Sequence, residues 1–124
     1  MSNEYKGPAF LAELDEAAVL TAAFMKRPVT GVAPIKRVVL AAASFYETMT
    51  PQYKGGFDGR EFIGFKAVLK SGEELHGLVA MSRNPTGKIV ELDIWHSPLG
   101  GLARLSKGVA SVVGDEFGPD MFLA

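Results

Sequence analysis

The side chain of this sequence best placed to do chemistry is His96, at the end of the segment IVELDIWHSP. It falls on the same face of that segment as Leu92 and Ile94, and histidine titrates near neutral pH when nothing perturbs it. His96 is therefore a candidate for proton transfer or for a hydrogen bond to a bound molecule. No carboxylate shares its face, so a histidine satisfied by backbone groups or water is the alternative. The second histidine, His76, is expected to point to the opposite face of its own segment.

Metal and cofactor chemistry are not expected from this sequence. It contains two histidines and no cysteine, and neither an HxH nor an HExxH spacing is present. The glycine pairs Gly55-Gly56 and Gly100-Gly101 do not match the phosphate-binding patterns GxGxxG or GxxxxGK[ST], and no GxSxG nucleophile motif occurs. We interpret these glycines as turn or packing residues, and we predict no metal and no cofactor.

Length and composition favour one globular domain that spans residues 1–124. Hydrophobic residues make up 48% and charged residues 22% of the chain, which is usual for globular proteins. The formal net charge is −1 and the basic residues are scattered, so nucleic acid is not an expected partner. The longest apolar run, 38–45, is too short to span a bilayer, and acidic residues interrupt the N-terminus where a signal peptide would be apolar. We predict a cytoplasmic protein without a membrane partner.

Three β-strands are predicted between Glu61 and Pro98, as EFIGFKAVLK, EELHGLVAMS and IVELDIWHSP, joined by Ser71-Gly72 and by NPTGK. Apolar and polar residues alternate in each segment, as they do in strands with one buried face. None of the residues on the predicted inner faces is an aspartate or a glutamate, so the inner surface is expected to be almost without ionisable groups. These inner faces hold Ile63, Phe65, Ala67 and Leu69, then Leu75, Gly77, Val79 and Met81, then Val90, Leu92, Ile94 and His96.

Two helices are predicted on either side of these strands in the chain. The first runs from Val32 to Glu47, with Thr30 as its N-cap and an apolar stripe at helical spacing. The second begins after Ser97-Pro98, and its apolar stripe consists of Leu102, Leu105, Val109 and Val112. A helix followed by antiparallel strands predicts an α+β domain with its helices on one face of the sheet.

The remaining segments have less regular patterns. Residues 8–14 fit a short helix, and residues 17–25 fit either a helix or a strand. The stretch YKGGFDG is interpreted as a loose segment that ends in a hairpin turn at Asp58-Gly59. The tail DEFGPDMFLA contains Met121 and Phe122, which we expect to pack on their own domain.

Four landmarks make the sequence resemble the nuclear transport factor 2-like superfamily, in particular its small SnoaL-like members. They are Thr30-Gly31 with Ile35, Phe65-x-Ala67 before Ser71-Gly72, Gly77 in the next strand, and Gly87-Lys88-Ile89-Val90-Glu91 leading to Pro98. The resemblance covers about residues 9–113 and leaves 114–124 as a C-terminal tail. It implies a cone-shaped α+β fold, in which a curved antiparallel sheet wraps around helices, with an internal cavity and a homodimer. It implies no single function, because the superfamily includes isomerases, cyclases, hydratases, epoxide hydrolases and transport adaptors.

The catalytic groups of enzymes in that superfamily can be compared with this sequence position by position. The steroid-isomerase members use a carboxylate base and a second carboxylic acid, and the matching positions here hold Ala22 and Val79. Their tyrosine lies in a long first helix, for which too few residues precede Ala17. The epoxide-hydrolase members use two carboxylates bridged by an arginine inside the cone, and the inner faces predicted here carry no carboxylate. The resemblance therefore predicts neither activity.

An apolar pocket inside the cone is expected to be lined by Phe24, Phe45, Tyr46, Phe65, Val79, Met81, Ile94 and His96, with His96 near its mouth. The same residues could instead form an ordinary packed core, and the tail residues Met121 and Phe122 could fill the space. On the outer face, Trp95 and Asp93 are expected at a homodimer interface, because aromatic residues are enriched in interface cores. A solvent-exposed Trp95 on a monomer is the alternative.

Three functions remain open from the sequence. The first is a homodimer that binds a small apolar or amphipathic molecule without an identifiable catalytic step. The second is an isomerase, cyclase or hydratase that uses His96 with help from Tyr46 or Arg27. The third is a protein-interaction module that uses the outer sheet face around Trp95 and Phe62. The first is the interpretation that we carry forward, because the predicted inner face is apolar.

Overall fold

The computed structural model of this chain describes residues 7–118 and 120–123. Within these ranges the chain forms a six-stranded sheet, two α-helices and a short 3-10 helix. The elements in chain order are the 3-10 helix Ala9–Glu13, β1 Leu14–Ala22, β2 Val29–Thr30, α1 Val32–Ala43, β3 Tyr46–Phe57, β4 Arg60–Leu69, β5 Glu74–Arg83, β6 Ile89–Ser97 and α2 Leu99–Phe117. Within the described ranges, no helix is long and apolar enough to cross a membrane.

The sheet is curved and open, with the strand order β2-β1-β6-β5-β4-β3. Neighbouring strands are antiparallel except for β1 and β6, which pair in parallel and place Leu20 beside Leu92. The two helices contact each other, and both contact the sheet. The predicted α+β fold, a curved sheet around helices, is confirmed, with the parallel β1–β6 pair as the exception to an antiparallel sheet.

Strands β4, β5 and β6 form where the alternating pattern predicts them. The predicted inner residues are buried in all three strands, with two half-buried exceptions, Ile63 and Val90. Opposite Val90, the register between β5 and β6 shifts at Ser82 and Arg83. Ile89 is therefore the fully buried residue instead of Val90. A β-bulge of this kind moves the neighbouring side chain to the other face.

The predicted hairpin turn before β4 is also present, at Asp58-Gly59. Both residues have positive φ, 53° and 78°, as the tightest hairpin turns require.

The first helix ends earlier than predicted, and a long strand follows it. Helix α1 stops at Ala43, and β3 then runs from Tyr46 to Phe57 through the stretch interpreted as loose. Local propensity is poor there, because glycine and proline are uncommon in strands. Pairing with β4 outweighs it along the whole strand. β3 is also the edge of the sheet, where a proline such as Pro51 is tolerated.

The structure decides between the two alternatives for residues 17–25 and shows that the predicted helix cap is wrong. Residues 17–25 take the strand option and lie mostly in β1, while the short helix predicted at 8–14 is the 3-10 helix. Thr30 does not cap α1: it lies in β2, and Gly31 at the N-cap position has a φ of 104° that favours glycine.

The C-terminal tail packs on the domain, as predicted, and does so beside the end of β1. Met121 and Phe122 are buried, and the N–H of Lys26 donates to the carbonyl of Met121 at 2.7 Å. The fully buried hydroxyl of Ser106, on α2, donates to the carbonyl of Phe24 at 2.8 Å and accepts from the N–H of Leu123 at 3.0 Å. These contacts hold the tail at α2, so it does not fill the concave side of the sheet.

Candidate ligand-binding pocket

A pocket of about 840 Å³ lies on the concave side of the sheet, between the sheet, α1 and the N-terminal segment 7–13. Most of the side chains that line it are apolar. Of the residues predicted from the sequence to line a pocket, all but Phe45 do so. The tail residues Met121 and Phe122 are not among the lining residues, so the alternative in which they fill the cone does not hold.

Phe45 lies outside this pocket, against α2. It sits in the connection between α1 and β3, next to Tyr46, whose side chain takes the inward direction. A Cβ added at Gly108 of α2 would lie 2.9 Å from the Phe45 ring, so the missing side chain of that glycine makes room for the ring. Phe45 lines a smaller groove of about 570 Å³, together with Lys70 and Arg104. The prediction failed because a helix through Glu47 placed Phe45 and Tyr46 on the same face.

His96 lies at the closed end of the pocket rather than near its mouth, so the predicted position was wrong. Its side chain is 7% exposed, and the rings of Phe24, Phe65 and Tyr46 surround it at centroid distances of 5.9, 5.8 and 6.3 Å. The parallel pairing of β1 with β6 causes this burial. The N–H of Ala23 donates to the carbonyl of Ile94 at 2.9 Å, so the next residue, Phe24, comes to lie beside His96.

The imidazole of His96 is uncharged at neutral pH. Burial lowers the pKa of His96 to about 4, because the charged ring would lose its hydration without gaining a compensating charge. Its Nε2 lies 2.7 Å from the hydroxyl oxygen of Tyr46, and the two groups form a buried hydrogen bond. Its Nδ1 is also buried and has no hydrogen-bond partner among the described residues. An unsatisfied buried polar atom costs about 1–3 kcal/mol.

The mouth of the pocket carries a charged cluster that the sequence interpretation missed. Arg83 donates through Nε to Glu61 and through Nη1 to Glu13, at 2.9 Å for the second contact, and both carboxylates line the pocket. The expectation that no carboxylate faces inward was therefore wrong. Glu61 continues the alternation of Ile63 and Phe65 at the start of β4, and Glu13 comes from the N-terminal segment.

This cluster is solvent-exposed and distant from His96. The side chains of Glu13 and Glu61 are 49% and 45% exposed, and their hydrogen bonds, led by that of Glu61, raise the pKa of Arg83. Exposed ion pairs of this kind contribute about 0–1 kcal/mol each. Gly77 on β5 lies opposite His96, and Arg83 lies six residues further along the same strand. Six residues of extended strand span about 20 Å, so Arg83 is far from His96. The cluster connects the N-terminal segment to β4 and β5, and no carboxylate within the described residues is paired with His96.

The other candidate residues occupy separate places. Val79 lines the pocket, while Ala22 is buried at the end of β1 outside it. Arg27 lies near the C-terminal tail, where it donates to the carbonyl of Phe117 at 2.9 Å and pairs with Asp120. It therefore does not assist His96. His76 is exposed on the outer face, as predicted, and within the described part of the chain no cluster of His, Asp or Glu has the arrangement of a metal site.

The convex face of the sheet carries a row of apolar side chains that crosses four strands. Strand register places Trp95 beside Leu78, Leu78 beside Gly64, and Gly64 beside Tyr53. The Tyr53 ring lies directly over Gly64, since a Cβ there would be 2.0 Å from it. Trp95 is 47% and Tyr53 61% exposed, so two aromatic rings of this row face solvent. Asp93, predicted beside Trp95, accepts a hydrogen bond from Arg60 at 3.2 Å.

Comparison with solved structures finds the same fold at low sequence identity. An uncharacterized protein with a cystatin-like fold from Silicibacter pomeroyi superposes with a TM-score of 0.79 and 15% identity, over 87% of this chain and 76% of that one. A steroid delta-isomerase from Pseudomonas aeruginosa gives a TM-score of 0.77 and 19% identity, over 86% of this chain and 79% of that one. A protein with a ketosteroid isomerase-like fold from Catenulispora acidiphila, solved in complex with trimethylamine, gives 0.59 and 10% over 78% of each chain.

These similarities define the class of the chain by its fold. No protein-family model and no curated protein sequence matches it. The chain has the nuclear transport factor 2-like fold, as the sequence landmarks predicted. At these identities the similarity concerns the fold alone, so the function has to be argued from the pocket.

Proposed function

We propose that this protein binds a small, mainly apolar molecule in the pocket on the concave side of its sheet. The observation that carries the proposal is the pocket itself: about 840 Å³ remains open inside the cone while the C-terminal tail packs elsewhere. Ligand pockets in proteins commonly have volumes of about 300–1,000 Å³, apolar walls and a few polar groups. The walls here supply apolar area, which is worth about 25 cal/mol per Å² buried, and the Tyr46–His96 pair supplies the polar groups.

Binding accounts for this pocket better than acid–base catalysis does. A catalytic base works best when its pKa lies near the operating pH, whereas the pKa of His96 is about 4. The carboxylates that line the pocket, Glu13 and Glu61, lie at the mouth and are both held by Arg83. The pocket therefore presents a neutral polar group at its closed end and exposed charges at its entrance.

The test is saturable binding of the neutral fluorescent dye N-phenyl-1-naphthylamine. Val79 faces the pocket, so the larger side chain of Val79→Phe extends into the open volume. This substitution should lower the affinity for the dye by roughly tenfold or more, which is about 1.4 kcal/mol of binding free energy. Val112, 58% exposed on α2, provides the matched control, and Val112→Phe should leave the affinity unchanged. Fluorescence titration gives both dissociation constants.

Two results would contradict the proposal. One is the absence of saturable dye binding together with native mass spectra of freshly purified protein that carry no dissociable extra mass. The other is equal affinity of the wild type and Val79→Phe, which would place the dye outside the pocket.

We also propose that two copies pair through the convex face of the sheet, around the row of Trp95, Leu78 and Tyr53. The row is bounded by charged pairs that are already neutralised, Arg60 with Asp93 at 3.2 Å on one side and Lys66 with Glu74 at 3.0 Å on the other. A second copy of the same face therefore meets no excess of one charge. Aromatic residues at the centre of a surface patch with a polar rim are typical of interfaces.

Trp95→Asp should convert the dimer to a monomer, because it places a charge where the two aromatic rows would meet. The expected loss of dimerisation free energy is about 2 kcal/mol or more, as is typical when a buried aromatic residue at an interface is replaced. Native mass spectrometry and the elution volume in size-exclusion chromatography measure the oligomeric state. Val112→Asp, on the exposed face of α2, is the control and should have the same oligomeric state as the wild type. A wild-type protein that is monomeric at micromolar concentration, or a Trp95→Asp variant with unchanged mass, would overturn this pairing.

A further inference from the structure

A groove of about 570 Å³ opens on the surface between helix α2 and the end of β4, and it shares no lining residue with the pocket on the concave side of the sheet. Four of its lining residues are spaced three, one and three apart along α2, which places them on one face of that helix: Arg104, Lys107, Gly108 and Ser111. The other side of the groove consists of Phe45, Leu69, Lys70 and Ser71. The groove is therefore a second candidate binding site.

The floor of this groove is apolar and held in place by the fold. Phe45 is only half-buried although it lies against α2, so part of its apolar surface is left uncovered at the groove. A Cβ at Gly108 would lie 2.9 Å from the Phe45 ring, so the glycine allows the ring to lie close to the helix. The N–H of Lys70 donates to the carbonyl of Phe45 at 2.9 Å, which fixes Phe45 beside the end of β4. The floor is thus formed before any ligand binds.

Three cations surround the apolar floor. Lys70 comes from the end of β4, and Arg104 and Lys107 come from α2. Such side chains lay their apolar stems along a surface and keep the charge at its rim. Among the described residues only Arg104 has a carboxylate partner, Glu73, which lies 2.7 Å from its Nε, so its two terminal nitrogens remain available. No lining residue is acidic, and the groove is therefore positive in a chain whose net charge is −1.

We infer that this groove binds a small organic anion, whose apolar ring or chain lies on the Phe45 floor and whose oxyanion lies between Lys70 and the two cations of α2. The terminal nitrogens of an arginine match the spacing of carboxylate, sulfonate or phosphate oxygens, and the lysines add charge without a fixed geometry. The volume lies within the range of about 300–1,000 Å³ usual for ligand sites. A cationic ligand would be repelled at the rim. The inference goes beyond the proposed function and does not depend on it, because the two sites have no residue in common.

The experiment compares two fluorescent dyes with one skeleton, because 8-anilinonaphthalene-1-sulfonate is N-phenyl-1-naphthylamine with an added sulfonate. The anionic dye should bind the groove with an affinity that Val79→Phe, on the concave side, leaves unchanged. Ser111→Phe extends into the groove from the exposed surface of α2 and should weaken the anionic dye by roughly tenfold, while the neutral dye keeps its affinity. Val112→Phe, the next residue and outside the groove, is the matched control and should change neither affinity.

A second pair of variants tests the charges of the rim. The double substitution Lys70→Met and Lys107→Met keeps the apolar stems and removes two cations, so the anionic dye should bind about fivefold more weakly. Lys26→Met with Lys88→Met removes two exposed cations elsewhere and should leave this affinity unchanged. In the wild type, 1-naphthyl phosphate and 1-naphthoate should displace the anionic dye, and their relative affinities identify the preferred oxyanion. Inorganic phosphate at the same concentrations should not displace it, because it makes no contact with the floor.

The outcomes separate this inference from the proposed function. The inference is wrong if the anionic dye shows no saturable binding, or if it binds Ser111→Phe as tightly as the wild type. It is also wrong if Val79→Phe alone weakens the anionic dye, which would place that dye on the concave side of the sheet. Displacement by inorganic phosphate as effective as that by 1-naphthyl phosphate would overturn the apolar floor. If the anionic dye behaves as expected and the neutral dye does not bind, the proposed function fails and the groove remains a binding site.

Discussion

Lowering the pH from 6.5 to 4 is expected to destabilise this protein by about 3 kcal/mol through His96 alone. The ordinary pKa of histidine, 6.5, applies to the unfolded chain, and burial lowers the pKa of His96 to about 4 in the folded protein. Between these two values the unfolded state binds a proton that the folded state does not, so acid favours unfolding. Each pKa unit is worth 1.36 kcal/mol, which gives the stated loss. Well above pH 6.5 both states are neutral, and His96 adds no pH dependence.

Urea unfolding at a series of pH values measures this effect as a difference between variants. His96→Gln removes the titrating group, so the free energy of unfolding of the wild type should fall by about 3 kcal/mol more than that of the variant over this range. His76→Gln changes an exposed histidine and should follow the wild type. Parallel curves for the wild type and His96→Gln would show that His96 is accessible to protons in the folded protein, contrary to its burial.

Gly77→Ala is expected to cost about 1–3 kcal/mol of stability and to change the pocket. A Cβ at Gly77 would lie 2.0 Å from the ring of Phe65, which packs across this glycine on the neighbouring strand. The ring is buried and borders both the pocket and His96, so the space open to it is the pocket itself. It must shift toward the pocket, and the affinity for N-phenyl-1-naphthylamine should fall with the stability.

Gly64→Ala is the matched control for this prediction. A Cβ at Gly64 would also lie 2.0 Å from an aromatic ring, that of Tyr53, but on the convex face. Tyr53 is 61% exposed in the single chain, so in the Trp95→Asp background, where the convex face is unpaired, its ring can turn into solvent at a cost below about 1 kcal/mol, and the pocket should keep its affinity for the dye. Thermal unfolding and dye titration of both variants check the comparison. Equal losses of stability and unchanged dye binding in both would mean that the Phe65 ring is not confined by the pocket.

The sequence predicted the strands that form the back of the pocket because their signal is local. Alternation with a period of two residues depends on one segment at a time, and it placed Phe65, Val79, Ile94 and His96 on the inner face. The same alternation, followed back to the start of β4, also places Glu61 on the inner face, two residues before Ile63. The alternation therefore predicts one of the charged residues at the mouth of the pocket, Glu61.

The depth of His96 was not predictable from its own segment. It depends on Phe24 and Tyr46, which come from two segments whose structure the local pattern did not determine. The stretch 17–25 fitted a helix as well as a strand, and the helix predicted through Glu47 concealed the start of β3. Pairing between distant parts of the chain decided both cases, and such pairing outweighs local propensity.

The parallel contact between β1 and β6 has a consequence for how the chain folds. Leu20 lies beside Leu92, so the first long strand finds β6, its longer partner, only after most of the sequence is available. Strands β3 to β6 follow one another as neighbours and can pair by closing short turns, whereas β1 must wait for a long loop to close, which is the slower step. During synthesis on the ribosome, β1 can pair with the short β2, whereas its other edge would remain unpaired until β6 has emerged. Since Phe24 follows β1 and His96 lies near the end of β6, the closed end of the pocket forms only when these two strands have paired, and a chain able to bind a ligand there has already assembled its whole sheet.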